Sequence, residues 1–287
     1  MISKKMKKKL VEFVREDIAG KDITTELITE KKCNAIIKLK EKAVVSGLEE
    51  AKFLFEFFRV KTKVLAKNGK KYNKGKTLIK LKGSNKQILI AERTALNVLS
   101  RMSGIATSAK KAQKIAGKNC KIMLTRKTCA GLNELDKKAG IEAGILPHRK
   151  NLNSAFLIKE NHLKFGSIQE LIQKAKKMNK KNKEKTGKGK QKNKLTEKKL
   201  IEVEIQNFFE LNQAIKAKPD VIMLDNFSLK NAGKALKEIR KTKIKIEVSG
   251  NINFENLREY SSLKPDFISM GLLTHSVKGI NLSLLVS

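Results

Sequence analysis

The sequence contains no tryptophan, only two tyrosines and three cysteines, and no apolar run that approaches the roughly 20 residues required to span a bilayer. Cys33, Cys120 and Cys129 are odd in number and lack the paired spacing of a metal site, which argues against a disulfide framework and favours reduced thiols. No signal-peptide pattern is visible, because charged residues interrupt the apolar positions after the basic start. We therefore expect a cytoplasmic protein without membrane contact.

Arginine is also scarce, since lysine supplies all but eight of the 64 basic residues that give the chain its formal charge of +36. Proteins that bind nucleic acids more often combine arginine with exposed aromatic side chains. The excess of lysine is therefore interpreted mainly as a solvated surface, and a nucleic-acid partner is not expected. An anionic small-molecule ligand is compatible with this charge.

The first hundred residues have the patterns of a small α+β unit. An amphipathic helix is predicted within residues 1–20, and alternating apolar and polar residues predict a strand over Cys33–Val45. Two further strands over Val60–Leu65 and Thr77–Leu81 are separated by a glycine- and lysine-rich stretch typical of a hairpin. Ile88–Ile115 then has the spacing of one long helix.

The second half of the chain repeats an apolar strand followed by a helix. Four strands end at or next to a candidate functional residue, namely Glu204, Asp225, Ser249 and Gly271. The steps between them are 21, 24 and 22 residues, which is the length of a strand, a helix and two short loops. The helices between them are predicted over Phe208–Ile215, Leu229–Ile239 and Phe254–Tyr260. Such units close into an α/β barrel whose chemistry lies at the carboxyl ends of its strands.

The interval in sequence from Lys159 to Glu204 is about twice as long as the intervals between the other strand ends. It contains residues 174–199, of which 13 of 26 are lysine and almost none is apolar. Because such a composition cannot bury enough surface to order itself, we predict an exposed, lysine-rich insertion between a helix and the next strand. A role in holding RNA is the alternative interpretation of this segment.

Charged residues of both signs follow the predicted strands. The basic group comprises Arg126, Lys127, His148, Arg149 and Lys159, and the opposing acids are Glu204 and Asp225. Guanidinium and ammonium groups suit carboxylate and phosphate ligands, and paired carboxylates beside a phosphate typically hold Mg²⁺. Ser249-Gly250-Asn251 and Gly271 offer backbone N–H groups for a terminal phosphate. These residues imply a small anionic substrate, a phosphorylated co-substrate and a divalent metal. They leave phosphoryl transfer, glycosyl transfer and aldol-type chemistry open.

A series of short motifs extends this interpretation across nearly the whole chain. The motifs are Asp22-Ile23-Thr24-Thr25, Glu92-Arg93-Thr94-Ala95-Leu96-Asn97, Ser103-Gly104-Ile105-Ala106-Thr107, Thr125-Arg126-Lys127-Thr128, His148-Arg149, Lys159-Glu160-Asn161-His162, Glu202-Val203-Glu204, Met223-Leu224-Asp225-Asn226, Ser249-Gly250-Asn251 and Gly271-Leu272-Leu273-Thr274-His275-Ser276. In this order they resemble the quinolinate phosphoribosyltransferase family, the decarboxylating enzymes of NAD biosynthesis. Each motif is weak alone, and their shared order makes the resemblance specific.

The resemblance implies an N-terminal α+β sandwich domain over residues 1–108, to which residues 274–287 return, and an incomplete α/β (TIM-like) barrel over residues 109–273. It also implies a homodimer, or a higher oligomer built from it, in which Arg93 reaches the site of the neighbouring subunit. The implied reaction converts quinolinate and phosphoribosyl pyrophosphate to nicotinate mononucleotide, pyrophosphate and CO₂, with Mg²⁺ as cofactor.

The same resemblance assigns roles to individual residues. The residues implied in substrate binding are Arg93, Thr125, Arg126, Lys127, His148, Arg149, Lys159, Glu204, Asp225, Ser249, Gly250, Asn251, Met270, Gly271 and Leu272. Of these, Lys159, Glu204 and Asp225 are implied as catalytic, and Glu204 and Asp225 as Mg²⁺ ligands together with substrate phosphates. Residues 249–251 and 270–272 would surround the 5-phosphate.

Two places depart from the family's usual pattern. The usual glycine-rich run before His148 reads Ala143–Pro147, and Ala130 and Asn133 stand where the family usually has proline and arginine. Because both places lie near the expected pyridine pocket, a phosphoribosyltransferase of the same fold that acts on nicotinate or another pyridine base is the second hypothesis, and it predicts no release of CO₂. A basic RNA-binding protein that retains the scaffold is the third, and it predicts salt-sensitive binding.

Overall fold

The computed structural model describes residues 2–118, 120–186 and 198–287. The chain divides into two compact units. Unit 1 comprises Met1–Lys111, Thr128–Ile145 and Leu273–Ser287, and unit 2 comprises Ala112–Lys127 and Leu146–Leu272. The predicted α/β class, a small N-terminal domain followed by a domain with a parallel sheet, is confirmed. Among the described residues, no helix combines the length and the hydropathy that crossing a membrane requires.

The helices and strands that the apolar patterns predict occur in the expected order, together with elements that were not predicted, such as helix Asn133–Glu142 and strand Leu282–Val286. The helices are α1 (Lys4–Ile18), α2 (Leu48–Phe57), α3 (Asn85–Ala116), α4 (Asn133–Glu142), α5 (Glu160–Leu163), α6 (Ile168–Thr186), α7 (Phe208–Ala217), α8 (Leu229–Ile239), α9 (Leu257–Ser262) and α10 (Leu272–His275). The strands are β1 (Lys32–Leu39), β2 (Ala43–Val44), β3 (Lys61–Val64), β4 (Lys71–Tyr72), β5 (Thr77–Ser84), β6 (Lys121–Leu124), β7 (Phe156–Ile158), β8 (Ile201–Ile205), β9 (Val221–Asp225), β10 (Lys245–Ser249), β11 (Phe267–Met270) and β12 (Leu282–Val286).

Unit 1 is built on a four-stranded antiparallel sheet with the order β12-β1-β5-β3. The alternation predicted for its first strand appears as burial of Ala35, Ile37 and Leu39 in β1. The predicted hairpin corresponds to the antiparallel pair β3 and β5. Strand β12 lies beside β1, with Leu284 opposite Ile37. The sheet is therefore completed by residues that follow the whole of unit 2 in sequence.

Helix α4 belongs to unit 1, which differs from the expectation that residues 109–273 lie together in the barrel. Asp136 of α4 is fully buried and accepts two hydrogen bonds of 2.8 Å from the guanidinium of Arg101. Lys138 of α4 forms ion pairs with Glu49 and Glu50 at 2.9 and 2.7 Å. These charge-assisted bonds join α4 to α2 and α3, which explains its place in unit 1.

Unit 2 contains a six-stranded parallel sheet with the order β6-β11-β10-β9-β8-β7. Successive strands from β7 to β11 are neighbours, and β6, the first strand of the unit, pairs with β11, the last. This circular order is that of a barrel. A parallel bridge between Met123 and Leu146 extends the sheet beyond β6. Within the described part of the chain no pairing joins this extension to β7, so the barrel is incomplete, as predicted.

The first part of the predicted insertion over residues 174–199 is helical, and most of its described side chains are exposed. Helix α6 continues to Thr186, because Ile172, Ala175 and Asn179 lie buried on one of its faces despite the lysines between them. The Asn179 side chain donates to the carbonyl of Lys199 at 2.8 Å and accepts from the N–H of Lys199 at 2.9 Å. Residues 187–197, on which the rest of the prediction falls, lie outside the described residues.

Candidate active site

The carboxyl ends of the parallel strands of unit 2 bring the predicted polar residues to one edge of the sheet, here called the rim. Asp225 ends β9 and pairs in register with Ser249, which ends β10. Lys159 follows β7, Thr125 follows β6 and Gly271 follows β11. Because all neighbouring strands are parallel, these ends meet on the same side of the sheet. The structure thus brings together the strand ends that the sequence pattern identified.

A buried carboxylate and an ammonium group form the centre of the rim. Glu204 on β8 is 7% exposed, and its Oε2 accepts a hydrogen bond of 2.5 Å from Nζ of Lys159. The backbone N–H of Lys159 donates to Nδ1 of His162 at 3.0 Å, so His162 caps the short helix α5. The Lys159 side chain stays 40% exposed. Its charge therefore compensates Glu204 on one side and stays accessible on the other.

His148 is held by two carboxylates within unit 2. Its ring is 9% exposed, and Nε2 lies 3.0 Å from Oε2 of Glu202 and 3.5 Å from Oε2 of Glu247. Burial lowers the pKa of His148, but the two carboxylates outweigh burial and raise this pKa to about 10. The backbone of His148 has φ +48°, a left-handed conformation that costs energy in a non-glycine residue. His148 is therefore a cation over the physiological pH range.

Sequence reasoning missed the two carboxylates that hold His148. Glu202 and Glu247 are 6% and 1% exposed, and each lies two residues before a predicted rim residue on the same strand. Burial, and then the negative charge of Glu202, raises the pKa of Glu247. The available signal was the presence of acidic residues within otherwise apolar parallel strands, where a charge is costly unless it is paired.

Two arginines of the rim, Arg126 and Arg149, influence each other electrostatically. Burial lowers the pKa of Arg149, and the positive charge of Arg126 lowers it further. Arg149 is half-buried and Arg126 is exposed. Among the described residues, neither guanidinium has a carboxylate within ion-pair distance. Two guanidinium groups at one rim without a carboxylate partner among the described residues are suited to an anion, which each can bind with paired hydrogen bonds.

The loops after β9 and β10 are joined through amide side chains. Asn226 donates from Nδ2 to Oδ2 of Asp225 at 2.9 Å and accepts at Oδ1 from Nδ2 of Asn251 at 3.0 Å. Asn226, Gly250 and Asn251 have φ values of +57°, +89° and +51°. A Cβ at Gly250 would lie 2.3 Å from Oδ1 of Asn226. Only glycine fits there without displacing Asn226, and this loop pair orients the Asp225 carboxylate.

The other predicted residues occupy different environments. Lys127 is exposed, and its backbone N–H donates to Oγ1 of Thr125 at 3.1 Å. Met270 is fully buried, and Leu272 begins α10 after Gly271. Arg93 lies exposed on α3 in unit 1, and its implied role in a neighbouring subunit stays a prediction.

The predicted Mg²⁺ ligands have a suitable set of donor atoms. Glu204 and Asp225 supply carboxylate oxygens, which Mg²⁺ prefers. Each carboxylate uses one oxygen for a neighbouring side chain, Lys159 or Asn226. The second oxygen of each has no hydrogen-bond partner among the described residues. Such a pair fits a metal that also binds substrate oxygens.

Comparison with known proteins identifies related sequences over almost the full length of the chain. Residues 22–103 match the domain family described as quinolinate phosphoribosyl transferase, N-terminal domain, and residues 105–285 match the corresponding C-terminal domain. A probable nicotinate-nucleotide pyrophosphorylase [carboxylating] of Methanocaldococcus jannaschii is 38% identical, with 98% of this chain and 95% of the relative covered. A protein of the same description from Bacillus subtilis is 34% identical over 97% of this chain and 92% of the relative.

A solved structure shows the same arrangement of the chain. The nicotinate-nucleotide pyrophosphorylase from Francisella tularensis is 33% identical and superposes with a TM-score of 0.88. The match covers 100% of this chain and 98% of that protein. Sequence and structure comparisons therefore agree over both units.

Proposed function

The chain belongs to the quinolinate phosphoribosyltransferase family, and we propose that the rim of unit 2 is the site of that family's reaction. The protein is an enzyme of NAD biosynthesis, which converts quinolinate and phosphoribosyl pyrophosphate to nicotinate mononucleotide, pyrophosphate and CO₂. The observation that carries the assignment to the rim is the presence of unpaired, mutually repelling guanidinium groups on the same sheet edge as the Lys159–Glu204 pair. The other rim residues are assigned around these two features.

The basic residues of the rim would bind the pyridine substrate. Quinolinate carries two carboxylates on adjacent ring carbons, so its recognition requires more than one cation. Arg126 and Arg149 have free donors for one carboxylate, and His148 and Lys159 supply charge for the other. Binding a dianion also relieves the repulsion between the two arginines, which favours the bound state.

The remaining rim residues would bind phosphoribosyl pyrophosphate. We assign the ribose to Glu204 and Asp225, and the pyrophosphate to the ammonium groups of Lys127 and Lys159. Residues 249–251 and 270–272 span the carboxyl ends of β10 and β11 at the rim. Consecutive N–H groups at such strand ends suit a 5-phosphate. Mg²⁺ would be held by Glu204 and Asp225 together with substrate oxygens, and when bound it would neutralise charge on the departing pyrophosphate.

The carboxylates of the rim would lower the barrier for forming the glycosidic bond. As the bond from the ribose carbon to pyrophosphate breaks, positive charge develops on the ribose, and Glu204 and Asp225 stabilise it electrostatically. Both are held in place before the reaction, by Lys159 and Asn226, so little reorganisation is needed. The pyridine nitrogen donates its electron pair to the ribose carbon. The carbon–carbon bond to the carboxylate beside that nitrogen then breaks, and CO₂ leaves.

Decarboxylation needs no covalent bond to the protein. The electron pair left on the ring carbon is stabilised by the adjacent, now positively charged nitrogen, and the carbon then takes up a proton. The residues of the rim would hold the second carboxylate in place during this step. An activated serine or cysteine is therefore unnecessary, which fits the residue types of the rim.

Two further features of the enzyme are part of the proposal. We propose a homodimer in which Arg93 of one subunit contributes to the site of the other, because Arg93 is an exposed cation of α3 without an ion pair among the described residues. We also propose that the enzyme is cytoplasmic, since its substrates are soluble metabolites.

The proposal is tested by supplying carboxyl-labelled quinolinate with phosphoribosyl pyrophosphate and Mg²⁺, and measuring labelled CO₂ and nicotinate mononucleotide together. Lys159→Ala should lower kcat/KM by at least about a thousandfold, because it removes the partner of Glu204 and a cation for both substrates. The matched control is Lys164→Ala, since Lys164 is an exposed lysine of the same loop region without an ion pair among the described residues. Formation of nicotinate mononucleotide from nicotinate but not from quinolinate would refute quinolinate as the substrate.

A further inference from the structure

Two buried carboxylates of unit 2 have no role in the reaction as assigned above. Glu202 and Glu247 are 6% and 1% exposed. Side chains two residues apart on a strand point to the same face, so each carboxylate lies one layer deeper than the rim residue that follows it. Buried carboxylates are costly unless a cation compensates them. Among the described residues, the one cation within ion-pair distance of both is His148.

Both carboxylates approach the same atom of that ring. Nε2 of His148 lies 3.0 Å from Glu202 and 3.5 Å from Glu247. Among the described residues Nε2 has no partner with hydrogen-bond geometry, so both contacts are ion pairs, which favour the charged imidazolium ring. The other ring nitrogen, Nδ1, has no hydrogen-bond partner among the described residues. Two carboxylates also stabilise the positive charge of the ring, and in an imidazolium Nδ1 carries a proton as well.

We infer that Glu202 and Glu247 are positioning residues, whose ion pairs with Nε2 hold the charged His148 ring so that Nδ1–H is presented to a carboxylate of the pyridine substrate. The identity of that ligand rests on the proposed function, whereas the arrangement of the three side chains does not. The two carboxylates come from different strands, β8 and β10, and so restrict ring rotation from two directions. The left-handed backbone at His148 is consistent with a ring held against local strain.

Kinetics of isosteric variants separate positioning from a general structural role. Glu202→Gln and Glu247→Gln keep the shape of each side chain and remove its charge. Each should raise KM for quinolinate by about 10- to 100-fold, the effect of weakening one charge-assisted hydrogen bond. The KM for phosphoribosyl pyrophosphate should change by less than about twofold, since no phosphate contact is touched. In a His148→Ala background, Glu202→Gln should have no further effect on KM.

A matched control tests whether neutralising any buried carboxylate changes KM. Glu50→Gln neutralises a fully buried glutamate of unit 1 and should leave both KM values unchanged. Equal increases in KM for both substrates in Glu202→Gln, or unchanged KM for quinolinate, would overturn the inference. Additive effects of His148→Ala and Glu202→Gln would overturn it as well, because the two residues would then act separately.

Nitrogen NMR of the wild-type protein tests the ring directly and needs no substrate. The chain has three histidines, so a spectrum of protein labelled with ¹⁵N-histidine is simple, and His148→Ala identifies the signals of His148. At about pH 8, well above the ordinary histidine pKa of about 6.5, both nitrogens of His148 should be protonated. The double variant Glu202→Gln/Glu247→Gln should show a neutral ring. If that variant does not fold, the wild-type spectrum alone decides.

Two further outcomes, a bound metal at this cluster and an enzyme that is inactive with quinolinate, have different consequences for the inference. The three ligating atoms lie within 4.8 Å of one another, so a metal could occupy this cluster. A stoichiometric metal in the purified enzyme that Glu247→Gln loses would overturn the ion-pair arrangement. An enzyme that is inactive with quinolinate, yet has a doubly protonated His148 ring, would refute the proposed substrate and the ligand named for Nδ1–H while supporting the positioning of the ring.

Discussion

Replacing Gly250 by alanine tests the contact between the loops that follow β9 and β10. Gly250 has φ +89°, and a Cβ at this position would lie 2.3 Å from Oδ1 and 2.5 Å from the backbone nitrogen of Asn226. The Asn226 backbone cannot rotate away like the end of a long side chain. The new methyl group must therefore push the two loops apart by more than half an ångström.

The cost can be estimated from two contributions. A left-handed backbone costs alanine about 1–2 kcal/mol. The displacement also weakens two hydrogen bonds of Asn226, one to the carbonyl of Ser249 at 3.0 Å and one from Asn251, at about 1 kcal/mol each. The free energy of unfolding should fall by about 3–4 kcal/mol, which lowers the melting temperature by on the order of 10 °C. Because Asn226 also orients Asp225, the KM for phosphoribosyl pyrophosphate should rise by at least about tenfold.

Gly75→Ala is the matched control for this variant. Gly75 has a similar φ of +86°, but a Cβ there would meet no atom within 4 Å. It therefore carries the backbone strain of about 1–2 kcal/mol without the steric clash, and both KM values should stay at the wild-type level. Thermal unfolding and steady-state kinetics of the two variants isolate the contact with Asn226. Equal losses of stability in both variants, or an unchanged KM for phosphoribosyl pyrophosphate in Gly250→Ala, would refute the reasoning.

Two further predictions concern buried charges. Arg101→Ala should lower the free energy of unfolding by about 3–5 kcal/mol, because it leaves the fully buried carboxylate of Asp136 without its bidentate partner; a loss below about 1 kcal/mol in urea titrations would contradict this. His148→Gln should cost about 2–4 kcal/mol below about pH 6.5 and progressively less as pH rises towards 10, since a histidine pKa raised to about 10 contributes stability that is lost as the folded protein deprotonates. Chemical denaturation of wild type and variant across this range measures the difference, and a cost that grows with pH would exclude the raised pKa.

Regular strand and helix patterns were sufficient to predict the barrel, and local side-chain contacts account for the errors. Helix α8 has the predicted bounds Leu229–Ile239, because its apolar positions repeat at helical spacing. The helix predicted from Phe254 begins instead at Leu257. Here Oδ1 of Asn253 accepts the N–H groups of Glu255 and Asn256, which holds these residues in a turn. Such a bond depends on one side chain and is invisible to a periodicity argument.

Contacts between distant parts of the chain limited the prediction of the site. The strand ends placed both Lys159 and Glu204 at the rim, because parallel strands align their carboxyl ends, and the structure shows that the two side chains form an ion pair. Glu202 and Glu247 were not singled out as functional, since their meaning depends on His148, which comes from a loop far away in sequence. The order of α6 was also missed, because its lysines outnumber the few apolar side chains that determine its packing.

The position of β12 constrains the order in which the two units can be completed during synthesis. Strand β1 pairs with β12 on one side, and β12 is translated only after all of unit 2. Until then β1 is an edge strand whose unpaired N–H and C=O groups can pair with other chains. The last strand of unit 2, β11, ends at Met270, so all strands of unit 2 are translated before β12 of unit 1. The sheet of unit 1 is therefore completed only after unit 2 has been translated, and until then β1 can pair with other chains.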